Sequence, residues 1–231
     1  MCFSAGASFG AGIVLTGIGI ASIKKVKQNK QLAFAGIPLI FAIQQFSEGF
    51  LWLSFSNPFF SDWQGPSTYL FIFFAQMVWP LWVPLSILLL DKREERKRIE
   101  KILVIIGSLI AIYIGYCLFA YPLQANRNGL HISYPQPYLE DIQILGAVLY
   151  LLVTIVPPFL SSVRRMWTLG VAITISYLVT IIFYTDYVVS VWCFFASVIS
   201  VSVYAVMHLI NTPPDDLMQN RRFNRSVFKM G

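Results

Sequence analysis

Charge is what this sequence most lacks. Only 12% of its 231 residues are Asp, Glu, Lys or Arg, against 57% hydrophobic residues and a mean hydropathy of +0.66. A soluble domain spreads about twice that charge over its surface, so a water-soluble fold is excluded. Histidine is scarcer still, with His131 and His208 alone. That disfavours a seven-span zinc hydrolase of the alkaline ceramidase type, which needs three. The apolar stretches hold no lysine, so a retinal Schiff base cannot form and no retinal is expected. The three cysteines, Cys2, Cys117 and Cys193, form no C-x-x-C, and there is no G-x-S-x-G, P-loop or H-E-x-x-H.

The charges that exist are gathered in short clusters. Between them lie apolar stretches of roughly 17 to 25 residues, the length that carries a helix across ~30 Å of hydrocarbon. Seven are present, at 5–23, 33–55, 67–90, 102–121, 142–160, 168–184 and 188–210. The expected fold is an all-α, seven-helix transmembrane bundle over residues 1–211, with a basic cytoplasmic tail at 212–231. The first stretch is read as a span and not a cleaved signal, because Lys24, Lys25, Lys27 and Lys30 follow it and no basic residue precedes it. Placing that cluster in the cytoplasm puts the N-terminus outside and the C-terminus inside. Sixteen of the 17 Lys and Arg then share the cytoplasmic side, with Arg127 alone opposite. The net charge of +6 is thereby explained by topology; a lipid bilayer is the implied partner and nucleic acid is not. DKREERKRIEK, residues 91–101, carries Glu and Arg at helical spacing and is expected to extend a span as a surface helix.

MCFSAGASF at the start and QQFSEGFLWL some forty residues on resemble a family of bacterial multi-pass membrane proteins that open MCFSA-x-ASF and carry Q-Q-x-S-E-G in the second span. The resemblance implies a bacterial cytoplasmic-membrane protein of uncharacterised activity, so function has to come from the residues.

Glycines at 6, 10, 12, 17 and 19 mark the first span for close helix packing, with Gly6 and Gly10 forming G-x-x-x-G. Pro38, Pro80, Pro84, Pro157 and Pro158 interrupt the helical ladder, and Pro80 frees the carbonyl of Gln76, four residues before it. In lipid a freed carbonyl needs a neighbouring helix, a water or an ion.

The most informative residues are polar ones inside apolar spans. Gln44, Gln45, Glu48 and Trp52 fall within about two helical turns of each other and share a face. A carboxylate at depth costs about 2.5–3.5 kcal/mol to insert, so Glu48 is expected to face the interior, in the outer third of the membrane. Ser190, Cys193, Ser197, Ser200, Tyr204 and His208 recur at helical spacing along the seventh span, and Thr174, Tyr177, Thr180 and Tyr184 along the sixth. These stripes are read either as helix-to-helix glue or as a polar lining that ends on a titratable histidine.

Three functions are compatible with this pattern. The first is binding and translocation of a small solute or ion, with proton coupling as an option, through Glu48, Gln44, Gln45, Gln76, Tyr177, Ser190, Ser197, Ser200, Tyr204 and His208. The second is an outward-facing thiol or metal-dependent enzyme, holding a transition metal such as zinc on Cys2, Glu48 and His131, with Asp141 and Asp186 nearby. The third is a receptor or structural membrane subunit.

Overall fold

The computed structural model describes residues 4–183, 187, 189, 191–192 and 195–212. Cys2, Tyr184, Asp186, Ser190, Cys193 and the basic tail beyond residue 212 lie outside the described residues, as does the side chain of Asp141.

Helices dominate. They are α1 (Ala5–Ile23), α2 (Leu32–Ala35), α3 (Ile37–Ser56), α4 (Gln64–Ile72), α5 (Trp79–Leu90), α6 (Glu94–Ala120), α7 (Gln143–Leu160), α8 (Trp167–Phe183) and α9 (Ala196–Asn211). A π-helical segment, Phe73–Val78, joins α4 to α5 into one continuous rod. Among the described residues four rods are long and apolar enough to cross a membrane: Ala5–Ile23, Asn29–Ser56, Pro58–Leu90 and Glu94–Ala120. Three further apolar helices, Ile144–Leu160, Trp167–Phe183 and Ala196–Asn211, are shorter. The rods pack in chain order, α1 on α3, α3 on α4, α5 on α6, α6 on α7, α7 on α8 and α8 on α9, and α9 returns to α1.

The outward surface confirms the solvent the sequence implies. On α6, Ile102, Ile105, Leu109, Ile112, Tyr116 and Phe119 are all exposed, at spacings of three and four. In water such a face would be polar. α6 also begins two turns before the apolar stretch, at Glu94, so the charged segment is the helical extension expected from its spacing. Its ion pair is Lys97 with Glu94, 2.7 Å apart, and not a pair to Arg98.

Within α1 the packing glycines are not the G-x-x-x-G pair. A Cβ at Gly10 would meet nothing within 4 Å, whereas at Gly12 it would press on Phe46 at 2.8 Å and at Gly19 on Leu39 at 2.5 Å. Gly12 and Gly19 are seven residues apart, on the face that α1 buries with Ser8, Leu15 and Ser22. These contacts make α1 and α3 antiparallel. The tightest approach in the bundle surrounds two prolines. Pro84 has no N–H to donate to the carbonyl of Pro80, and α6 crosses directly over that oxygen at Gly107, where a Cβ would stand 1.9 Å from it.

One element is neither helix nor simple loop. Asn126–Asn128 (β1) pairs antiparallel with His131–Ser133 (β2), and Gly129 turns the hairpin with φ of 63°. This left-handed conformation suits glycine. Ile132 and the preceding Ala125 pack on Leu51 and Trp52, so the hairpin covers the end of the bundle that α3 reaches with its C-terminus. At the opposite end, Asn211 ties three segments together. Its Nδ2 donates to the Lys25 carbonyl (2.8 Å), while its Oδ1 accepts from Gln31 (3.0 Å).

Candidate functional site

The second half of α3, toward the hairpin end, is buried on more than one side. Gln44, Gln45 and Glu48 have no exposed surface, and Ser47, Leu51 and Trp52 are nearly as enclosed. Burial of three such polar side chains requires partners, and they are treated unequally. Gln44 faces α5, where its Oε1 accepts a 2.9 Å hydrogen bond from Trp79 Nε1. The Trp79 ring also stacks on Phe41, centroids 3.9 Å apart. Gln45, 100° further round the helix, has no partner for its amide oxygen or nitrogen among the described residues.

Other polar atoms share this condition. The hydroxyls of Ser8 on α1 and Ser200 on α9 and the indole N–H of Trp52 are buried without a hydrogen bond among the described residues. α1, α3 and α9 pack on one another. Each of the three helices therefore carries at least one buried polar group without a hydrogen bond among the described residues. The Arg127 guanidinium lies 5.4 Å above the Trp52 ring as a cation–π cap. His131, on β2, stacks on Tyr187 at 4.5 Å, and burial lowers its pKa. Among the described residues no three His, Cys, Asp or Glu converge in a way that could hold a metal ion. Cys2, the expected third ligand, lies outside them.

The two hydroxyl stripes are only partly gathered in. On α9, Ser200 is fully buried, Ser197 and Tyr204 are half-buried and His208 is exposed at the end away from the hairpin. The buried face of this helix runs through Ala196, Ile199, Ser200, Val203, Val206 and Met207, so the stripe lies along its edge. Tyr204 and His208 stack on each other, centroids 6.4 Å apart. On α8 the buried polar residues are Ser176 and Thr180. Thr174, Ser176 and Thr180 each donate to the carbonyl four residues back on their own helix, a local satisfaction that does not tie one helix to another. Tyr177 meets the edge of Trp192 at 5.3 Å.

A carbonyl next to the expected one is supplied from another helix. The π segment Phe73–Val78 runs up to this point, and a π turn places the acceptor for position 80 at Ala75, five residues back. Tyr150 on α7 donates its hydroxyl to the Ala75 oxygen at 2.6 Å. The Gln76 side chain exchanges two amide bonds with Gln136, at 2.8 and 3.0 Å, and so anchors the segment that follows the hairpin. Tyr150 had no signal in the sequence, because a lone tyrosine in an apolar helix reads as packing.

A chain that is helical apart from one short hairpin, with four helical rods among the described residues long and apolar enough to cross the bilayer, an apolar outer face and polar groups enclosed within, is an integral membrane protein. The chain belongs to the DUF6629 family, a family of unknown function whose profile matches residues 1–215. No curated protein and no solved structure matches it significantly.

Proposed function

We propose that this protein binds a small polar solute or cation in the hairpin-end half of the bundle and carries it across the membrane. The single observation that carries this reading is Gln45. A fully buried amide without partners costs ~1–3 kcal/mol or more, and a ligand or its hydration water repays that cost when present. Ser8, Ser200 and Trp52 offer further donors, and Glu48 supplies the only kind of formal charge in the apolar spans, since these contain no Lys or Arg. That polarity favours cations and neutral hydrogen-bonding solutes over anions. Proton coupling through Glu48 belongs to the same proposal.

The proposed topology is seven spans in a bacterial cytoplasmic membrane, N-terminus outside. It is supported by the sixteen-to-one partition of Lys and Arg and by the three shorter apolar helices packing within the same bundle as the four long ones. The hairpin end then faces outward.

The test is flux in liposomes holding the purified protein, with an internal pH-sensitive dye and an imposed potassium diffusion potential. Proton entry above that of empty liposomes, lost in Glu48→Gln, supports a coupled pathway. No entry, together with stoichiometric metal in the wild type that disappears in the same variant, would move the reading to the metal-dependent enzyme.

A further inference from the structure

At the end of the bundle away from the hairpin, two carboxyl groups are enclosed without a role in the site above. Asp91, just past α5, is 3% exposed. It accepts from Arg93 N at 3.0 Å, Ser162 N at 2.7 Å, Ser161 Oγ at 3.2 Å and the Ser162 hydroxyl. One side chain therefore stitches the α5–α6 turn to the α7–α8 turn. That second turn contains Arg165 in the left-handed region, φ 62°, a conformation a non-glycine residue holds only when its surroundings enforce it. Arg96 adds a bond to the Leu160 carbonyl at the end of α7.

Facing Asp91 is Glu100, in the second turn of α6 and with no exposed surface. Neither of its oxygens has a donor among the described residues. Seven of the eight residues from 94 to 101 are charged, so this level stands outside the hydrocarbon, ahead of the apolar stretch from Ile102. The charges of Arg96 and Lys97 favour the ionised form of Glu100 but are outweighed by its burial and by Asp91. Arg96 is directed to Leu160 and Lys97 to Glu94, while Arg164 and Arg165 of the α7–α8 turn are exposed. The longest of the four bonds to Asp91, from Ser161 Oγ at 3.2 Å, can give way to a shorter O–H···O⁻ bond when the neighbouring carboxyl brings the proton.

We propose that Asp91 and Glu100 hold a single proton between them, and that this proton latches the start of α6 to the α5–α6 and α7–α8 turns. Glu100 donates its O–H to the Asp91 carboxylate in the latched form. Loss of the proton to the aqueous phase leaves two like charges in an enclosed space, one of them without a donor, and the junction loosens.

The direction with pH follows. Burial, then the charge of Asp91, push Glu100 up to about 7 from 4.5. Burial alone would raise Asp91 too, but its bonds from Arg93 and Ser162 bring it down to about 2. The folded chain therefore binds the Glu100 proton more tightly than the unfolded chain, and its stabilisation falls as pH rises from 4.5 through 7. Asp91 contributes throughout that window and loses its contribution only as pH falls from 3.8 toward 2.

The experiment is thermal unfolding of the full chain in detergent at pH 5 to 8, paired with infrared spectroscopy of the protonated-carboxyl stretch. In wild type the folding equilibrium constant is expected to drop on the order of fifty-fold across the window, and the carboxyl band to fade with it. Glu100→Gln, which keeps a donor toward Asp91 at every pH, should abolish both changes and match or exceed wild type at pH 8. If that variant fails to fold, the wild-type infrared titration decides alone, because a carboxyl band absent at pH 5 overturns the proposal. A wild type stabilised at pH 8 by calcium or manganese alone, with the variant unaffected, would show a divalent-cation site in place of a proton latch.

Discussion

Replacing Gln44 and Gln45 one at a time by leucine separates an amide that holds two helices together from one that the bundle leaves unpaired. The two residues are adjacent, equally buried and chemically identical, so composition and depth cancel in the comparison. Gln44→Leu strands the Trp79 indole N–H, now donating across 2.9 Å, in a fully packed interface. A stranded buried donor costs ~1–3 kcal/mol, with membrane interiors nearer the lower end, where measured interhelical bonds average about 0.6. Gln45→Leu takes away an oxygen and a nitrogen with no partner among the described residues and replaces them with apolar atoms of similar volume. That exchange is neutral to stabilising by about 1 kcal/mol. The order of midpoints should be Gln45→Leu at or above wild type, and Gln44→Leu below it. Thermal unfolding followed by size-exclusion recovery in detergent reads that order directly. A Gln45→Leu midpoint depressed as far as that of Gln44→Leu would mean the amide is already satisfied in the resting protein, and the argument for a ligand site at Gln45 would fail.

Further outcomes follow from the packing and the proposed threading. Gly107→Ala should destabilise by at least the ~1–3 kcal/mol of a typical overpacked site, because its Cβ would stand 1.9 Å from the Pro80 oxygen and backbone must move. Gly10→Ala, with nothing within 4 Å, should leave the unfolding midpoint unchanged. For topology, a cysteine at Asn128 should react with a membrane-impermeant maleimide on intact cells, and one at Lys30 only after permeabilisation; the reverse pattern would invert the proposed orientation.

Several features were legible because they are properties of residues and not of their neighbours. The scarcity of charge and the length of the apolar runs follow from the cost of placing ions and unpaired backbone in hydrocarbon. Each of the seven apolar stretches contains helix in the structure, and Glu48 with its two glutamines is buried as its insertion cost requires. The hairpin was missed even though Asn128-Gly129 is a turn signal, and the turn itself falls one residue on, at Gly129 and Leu130. Three-residue strands carry too little alternation to stand out, and Gly129 declares itself only by its positive φ.

The remaining features depend on which surfaces meet. Spacing placed Ser197, Ser200, Tyr204 and His208 on one line of α9, but the helix is rotated so that only Ser200 enters the core; periodicity defines a stripe and leaves its azimuth free. Spacing likewise pointed to the Gln76 carbonyl and gave no sign of the π segment beside it or of the Tyr150 hydroxyl that reaches Ala75. The choice of Gly12 and Gly19 over Gly6 and Gly10, the unequal fates of Gln44 and Gln45, and the meeting of Asp91 with Glu100 all arise from helix rotation and register. By itself the sequence determined the solvent, the helices and the enclosure of a carboxylate, since those energies are local to each residue. Only the tertiary structure decided which polar groups found partners, because a hydrogen bond is set by the position of two chain segments at once.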